Sequence, residues 1–422
     1  MIAENMFKRT FYDYWKNKTP SNNFQQLELI INGKCDLKCS YCYFTRYRDR
    51  LFLEGSEDDE KIIDNLQVVK KWMEKNDFKD VPICLMSGEI FSQDIGFQVI
   101  ETLINDFQQV KTIAIPTNMN FLLDEKQTSR VENLIKLSKE KNTHLHFSAS
   151  LDGKFMEVNR PFRDPKKFRD DSFYDKFFRF SKEYDIGPHP MIYSNNIEKW
   201  KDNFLWFQEN FYKYKLDPLK LYLLEVRNKE WTETQCKELG KFLNFLVKWT
   251  VDFFKYNNLD PIKSIVNFKP FNILMSPFMS TQRGFACSIQ TALMLRLGNL
   301  TTIPCHRLGY KIFETSTLSP DSLEFEDKNI SLGIAVYSTN GMPEICLACP
   351  INHLCLKGCL GSQHEEMGDL FIPIPTVCRL QHYKIISLLS AYKEAGILAG
   401  LMSHIPYNKQ QQILSLEKEN LL

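Results

Sequence analysis

A chain of 422 residues exceeds what one ordinary core accommodates, so two domains, or a large barrel with an appendage, are expected. With 43% hydrophobic and 25% charged residues it has a globular composition, and its net charge of +1 gives no electrostatic reason to expect nucleic acid or a membrane surface. No run of about 18 apolar residues occurs and residues 1–20 lack an apolar signal core, so the 12 cysteines are expected to stay reduced in a cytoplasm, where clustered thiolates serve as metal ligands.

From residue 27 onward, apolar strand-like runs alternate with helical patterns. Residues 27–31 read as a first strand. Ile62, Leu66, Val69 and Met73 then recur at helical spacing before a strand at 81–86. Helix 93–107 leads to strand 112–115, helix 125–141 to strand 144–150, and the stripe Phe173, Phe177, Phe180, Tyr184 to a strand at 191–193. Helix 196–214 leads to a strand at 219–226. Six βα repeats imply a parallel sheet buried on both faces. The aromatic and basic residues between 160 and 184 read as core at helical spacing rather than as a nucleic-acid surface. His144 and His146 alternate without a third ligand and read as ordinary side chains. Helix 232–256 opens on Thr232-Glu233-Thr234-Gln235, a capping box in form, and holds Cys236 as a small buried residue. Pro261, Pro270 and Pro277 mark a junction. Helical patterns follow Cys378, running to residue 398 and again over 405–419.

Two cysteine patterns carry the chemistry. Directly after the first strand stands Cys35-Asp36-Leu37-Lys38-Cys39-Ser40-Tyr41-Cys42, spaced C-x3-C-x2-C. Three thiolates on one short loop can hold three irons of a cubane and leave the fourth open. Zinc is the competing reading, but a structural zinc site takes four protein ligands and no fourth lies nearby. Toward the C-terminus come Cys287, Cys305, the run Cys346-x2-Cys349-x5-Cys355-x3-Cys359, and Cys378. These seven approach the eight thiolates that two cubanes need.

The loop at 35–42 resembles the cluster loop of the radical S-adenosylmethionine (SAM) enzymes. The run at 346–378 resembles the SPASM domain that extends the peptide- and protein-modifying members. The resemblance covers about residues 27–378. It implies an α/β fold: a partial (β/α)6 TIM-like barrel with a C-terminal cysteine-rich iron–sulfur (SPASM) domain. The organisation is then 1–24 as an N-terminal extension, 25–230 as the barrel, 231–280 as a helical bridge, 281–385 as the auxiliary-cluster domain and 386–422 as C-terminal helices. It further implies that Cys35, Cys39 and Cys42 hold a [4Fe–4S] cluster whose open iron chelates SAM. One electron then cleaves SAM to a 5'-deoxyadenosyl radical.

In such barrels the chemistry sits at the C-terminal strand ends. After the second strand, Ser87-Gly88-Glu89 is similar to the family's Gly-Gly-Glu, with Ser87 in place of the first glycine. After the third, Thr117-Asn118 is similar to Thr-Asn-Gly, with Met119 in place of the glycine. After the fourth, Ser148-Ala149-Ser150-Leu151-Asp152-Gly153 and Arg160-Pro161-Phe162-Arg163 match the pattern Ser-x-Asp-Gly plus arginine. The resemblance assigns Ser148, Ser150 and Asp152 to the ribose or amino-acid end of SAM, and either Arg160 or Arg163 to its carboxylate. Leu224, on the sixth strand, joins these contacts. Glu225 and Arg227 beside it either face substrate or form a surface ion pair.

The resemblance also places an outer auxiliary [4Fe–4S] cluster on Cys346, Cys349, Cys355 and Cys378. An inner one falls to Cys287, Cys305 and Cys359, with Gly298 two residues further from Cys305 than the family pattern. The inner cluster's remaining position is either open to a substrate thiolate or filled by water or a carboxylate. His306 stands where sulfatase-maturing relatives carry an aspartate base, and it serves as a base or packs the cluster. Cys84 is a candidate thiol hydrogen donor, or core. The expected activity is hydrogen abstraction from a ribosomally made peptide, installing a thioether, ether or carbon–carbon crosslink. The alternatives are formylglycine-type oxidation of Cys or Ser, epimerisation, a small-molecule dehydrogenation, or a non-catalytic iron–sulfur electron carrier. Expected partners are the peptide and an electron donor such as flavodoxin or ferredoxin. About 25 residues precede the first strand, fewer than a leader-binding domain needs, so any leader on the substrate is expected to bind a separate partner protein or a surface of the barrel.

Overall fold

The computed structural model describes residues 26–44, 58–228, 230–279, 292–327 and 344–422. They divide into two compact units that interleave along the chain. Described residues up to 150, together with 160–180 and 292–327, form the first. Residues 151–159, 181–279 and 344 onward form the second, residue 229 lying outside the description.

The first unit is built on an eight-stranded sheet. Strands β1 (Gln26–Ile30), β2 (Ile83–Met86), β3 (Thr112–Thr117) and β4 (His144–Ala149) are parallel neighbours in that order. On the other side of β1 lies β7 (Ala292–Arg296), also parallel, followed by antiparallel β8 (Thr301–Ile303), β9 (Ser316–Leu318) and β10 (Phe325–Asp327). Crossover helices α1 (Asp59–Lys75), α2 (Asp94–Asp106) and α3 (Glu125–Glu140) connect the first four strands. The Asp58 carboxylate caps α1 by accepting the Glu60 and Lys61 N–H groups, and the helix buries Ile62, Leu66, Val69, Trp72 and Met73 along one stripe. Leu27 and Leu29 of β1 are wholly buried, each contributing about 1.5–3 kcal/mol by leaving water. The opposite face of β1 carries Gln26, Glu28 and Ile30, because successive strand side chains alternate. On that face Glu28 stands opposite Cys84 of β2 and Met294 of β7, Cys84 opposite Ala114, and Ala114 opposite His146.

Helix α4 (Asp171–Tyr184) follows; Phe173, Tyr174, Phe177, Phe178 and Phe180 are all buried, as core residues at helical spacing should be. In the second unit, β5 (Met191–Ile192) and β6 (Leu224–Glu225) make a two-stranded parallel ladder, with α5 (Trp200–Tyr214) between them. The strand expected over 219–226 is much shorter than its apolar run. Leu221 and Leu223 are buried, but the Tyr222 and Leu223 N–H groups donate to the Pro188 and Phe271 carbonyls instead of a ladder. Helix α6 (Glu233–Tyr256) has the full capping box of Thr232 and Gln235, and Cys236 is buried in it. Pro261 does not end helical structure: it is the first residue of α7 (Pro261–Phe268), where a missing N–H costs nothing, and Asp260 caps that helix. The cysteine-rich segment leads into α8 (Leu360–Met367) and α9 (Pro375–Glu394), and α10 (Tyr407–Lys418) ends the chain's helices. Helix α9 packs along α6, and Gly240 permits it: a Cβ there would stand 2.4 Å from the Ser387 Oγ.

Candidate active site and cluster sites

In the first unit the strand ends converge on the cysteine loop. The Gly88 N–H donates to the Asn32 carbonyl (2.9 Å) and the Glu89 N–H to the Lys34 carbonyl (2.8 Å), so the end of β2 is stitched to the start of the loop. The fit demands glycine, since a Cβ on Gly88 would lie 2.2 Å from the Lys34 carbonyl oxygen. Ser87 donates its hydroxyl to the Asn32 side chain at 3.2 Å. On the other side of the loop, the Lys38 N–H donates to the Pro161 carbonyl (2.7 Å) and Leu37 bridges Phe162. Arg163 donates its backbone N–H to the Asp36 carbonyl (2.9 Å) and its Nε to the Cys35 carbonyl (2.9 Å). The Arg160 guanidinium lies 5.4 Å from the Tyr41 ring centre. The arginine-bearing segment therefore holds the loop itself, whichever arginine meets a ligand carboxylate.

Glu89 is 3% exposed and caps the short turn Ile90–Ser92. Its carboxylate accepts the Phe91 N–H (3.2 Å), the Thr117 hydroxyl (2.7 Å) and the Asn118 N–H (2.6 Å). Burial, and then the nearby Asp36 charge, raise its pKa to about 7 against these three bonds. Met119, where the family pattern has glycine, sits at φ 63°, so the left-handed backbone is kept without the residue that adopts it most cheaply. Ser150 donates its N–H to the Thr117 carbonyl at 2.7 Å, and Ser148 stands opposite Pro116 in the β3–β4 ladder.

Two residues that the sequence reading passed over complete this site. Asp36, between the first two cysteines, accepts the Asn118 amide on Oδ1 and the Asn120 amide on Oδ2, each at 2.7 Å. Arg169, also buried, donates Nε to the Asn120 side-chain oxygen and a terminal nitrogen to the Asn118 carbonyl, both at 2.9 Å. A chain of polar contacts thus runs from α4's approach through β3's end to the cysteine loop. Burial, and then Glu89, push the Cys35 thiol up.

His306 and Cys84 lie near one another in the same unit. The His306 ring stacks on Tyr43, directly after the third loop cysteine, with ring centres 5.3 Å apart, and its Nδ1 is 3.7 Å from the Glu28 carboxylate. Glu28, buried on β1, is the neighbour of Cys84 across the ladder. Burial, and then Glu28, raise the Cys84 thiol to about 12, so it stays protonated at neutral pH. Glu28 was not singled out from sequence because one acid in a strand carries no periodic signal.

In the second unit, Asp152 is fully buried; its carboxylate accepts the Met191 N–H (2.9 Å) and its carbonyl the Asn203 amide (2.8 Å). Leu224 pairs with Met191. Glu225 and Arg227 form a buried pair, neither a surface ion pair nor a free rim. Arg227 Nε and a terminal nitrogen lie 3.0 Å from Glu225 Oε1. Lys384 and Gln381 of α9 donate to the same carboxylate at 2.9 and 3.0 Å. Burial alone would raise Glu225, but Lys384 and then Arg227 overcome it and hold the carboxyl well below its usual range.

Cys346, Cys349, Cys355 and Cys378 line a single cavity of about 370 Å³, with Lys357, Gln381 and His382 among its walls. Cys378 is on the first turn of α9, so the helix brings in the cysteine most distant in sequence. The Lys357 N–H donates to Cys355 Sγ (3.3 Å) and His382 Nε2 lies 3.4 Å from Cys349 Sγ. Among the described residues no three His, Cys, Asp or Glu side chains are grouped to grip one metal ion. Of the other three cysteines, Cys287 lies outside the described residues. Cys305 is in the first unit, its sulfur accepting the Arg307 N–H at 3.3 Å, and Cys359 immediately precedes α8 in the second. Among the described residues no helix is long and apolar enough to cross a membrane.

No family model matches this sequence, and no curated protein matches it. Solved structures do resemble it in fold. A hexahistidine-tagged anSMEcpe with bound AdoMet aligns with a TM-score of 0.60 at 16% identity, covering 92% of this chain and 98% of that one. Native anSMEcpe with bound AdoMet gives 0.58 at 16% identity, over 87% and 98%. SuiB of Streptococcus suis bound to S-adenosylmethionine gives 0.50 at 14% identity, over 88% and 78%. The alternating βα architecture on a parallel sheet, followed by a cysteine-rich segment, agrees with these neighbours. The chain has the fold of the SPASM-domain radical SAM enzymes.

Proposed function

We propose that this protein is a radical SAM enzyme that modifies a ribosomally made peptide and installs a crosslink. The single observation that carries the reading is the shared cavity of Cys346, Cys349, Cys355 and Cys378, present together with an independent three-cysteine loop held at the strand ends. Both neighbouring proteins were solved with SAM bound, which supports the same cofactor here.

Cys35, Cys39 and Cys42 are the residues that would hold the SAM-binding cluster, and Cys346, Cys349, Cys355 and Cys378 an auxiliary one. A cluster held by Cys35, Cys39 and Cys42 would supply the electron for reductive cleavage of SAM. The remaining work falls to the chain's own groups. Gly88 lets the β2 end approach the loop, Glu89 fixes Thr117 and Asn118, and Asp36 with Asn118, Asn120 and Arg169 holds the loop rigid. Ser87, Ser148, Ser150, Asp152, Arg160, Arg163 and Leu224 complete the proposed SAM contacts. Rigid placement matters because hydrogen abstraction requires one C–H bond within close reach of the radical carbon. His306 is the group suited to remove the proton that oxidation releases, and Glu28 the carboxylate beside it. A flavodoxin- or ferredoxin-like electron donor completes the proposed system.

The test is anaerobic incubation of reconstituted protein with reductant, SAM and a short peptide encoded beside the gene, in deuterated buffer. Loss of two hydrogens, with fragmentation locating a new bond between residues, is the expected result. An aldehyde would mean formylglycine formation, and one non-exchangeable deuterium without hydrogen loss would mean epimerisation through Cys84. Failure to make 5'-deoxyadenosine at all would overturn the enzymatic reading.

A further inference from the structure

The second unit buries more positive than negative charge beside its cysteine cavity. Lys384 and Lys357 are 1% and 7% exposed, and the Arg227 side chain is largely covered. Glu225 is the carboxylate bonded to Arg227 and Lys384, while Lys357 donates Nζ to the Asn352 backbone and side-chain oxygens. The contacts run continuously to the cavity. Gln381 lines it and donates to Glu225, and Arg227 donates to the Lys357 carbonyl at 3.4 Å. Lys357 lines the cavity too and donates its own N–H to Cys355 Sγ. Three cations against one acid is an unfavourable burial unless an anion compensates them, since an unbalanced buried charge costs several kcal/mol. Four thiolates on a cubane supply that anion, and the cubane becomes one charge more negative on reduction. Fixed cations at its edge therefore favour the reduced form.

We propose that Arg227, Lys357 and Lys384, with Glu225 the one acid among them, set the reduction potential of the cluster that Cys346, Cys349, Cys355 and Cys378 would hold, and shift it upward. This rests on the reading that the cavity holds an iron–sulfur cluster. Neither local cysteine spacing nor the sequence positions of Glu225 and Arg227 point to it; Lys384 enters from a helix far along the chain.

The experiment is a potentiometric titration of the full reconstituted chain, followed by electron paramagnetic resonance. The relevant signal is the one that Cys349→Ala removes. Lys384→Met and, independently, Lys357→Met are expected to lower the midpoint potential of that signal at unchanged iron and sulfide content. Lys384→Arg, which keeps the charge, restores it toward the parent value. Glu225→Gln, which removes the acid bonded to Arg227 and Lys384, moves it the opposite way. Should Lys384→Met not fold, Lys357→Met alone decides the sign. Full iron content with the parent potential in the lysine-to-methionine variants would overturn the proposal while leaving the cluster reading intact. A parent chain that takes up no iron at these cysteines would remove the cluster reading, and this proposal with it.

Discussion

Glu89 shows how much a single side chain can be asked to do when burial removes water. Its native pKa is raised to about 7 from an ordinary 4.5 by burial first and Asp36 second. The native state then binds the extra proton between these two values. The stability contributed by this group is fully present below pH 4.5 and is lost as pH rises through about 7. In the metal-free chain the urea midpoint is therefore expected to fall across that window, and Glu89→Gln is expected to flatten the profile; an unchanged slope would refute the assignment. Arg169 is the second test at this scale. Arg169→Met leaves the Asn120 side-chain oxygen and the Asn118 carbonyl without their donor, a loss of about 1–3 kcal/mol. Unfolding titrations and iron uptake at the 35–42 loop should both report it. The motif residues around these positions were legible from sequence because each stands directly after an apolar run. Asn120, Arg169 and Glu28 were not, since their partners are 49, 51 and hundreds of residues away in sequence.

Elements were legible in proportion to their amphipathic pattern. Helices α2, α3 and α6 lie within a residue of their expected spans, and α1 buries its expected stripe of Ile62, Leu66, Val69 and Met73, because an amphipathic stripe marks each of them. Thr232→Ala, which removes the α6 cap, is expected to cost about 1 kcal/mol, read from the denaturation midpoint. Strand β6 was overestimated because an apolar run records burial, and burial does not require a ladder. The close seam between β2 and the cysteine loop is a backbone matter: Gly88→Ala must push a carbonyl oxygen, not a side chain. That change is expected to cost about 1–3 kcal/mol and to lower the iron bound at the loop, measured by urea midpoint and iron content.

For the whole molecule, the strongest expectation concerns the shared cavity. Removing any one of Cys346, Cys349, Cys355 or Cys378 as serine is expected to lower iron by about four atoms per chain, while Cys84→Ala leaves it unchanged; iron and sulfide assays decide. Loss of four atoms on Cys84→Ala instead would mean that the ligand sets were wrongly drawn.

What the sequence determined by itself is the set of locally written features: the βα alternation, the C-x3-C-x2-C loop, the C-x2-C-x5-C-x3-C run and the strand-end motifs. These lie within a few residues of one another, so spacing alone constrains their geometry. Only the tertiary structure decided what joins distant segments. It placed Ala292–Arg296 beside Gln26–Ile30 as a parallel strand, although that segment belongs in sequence to the cysteine-rich extension. It also put Glu225 and Arg227, expected to face substrate or form a surface ion pair, into a buried network with Lys384. Both outcomes have one physical cause. Hydrogen bonding and burial are satisfied by whatever backbone edge or charge lies adjacent in space, and no periodicity in the chain records that adjacency.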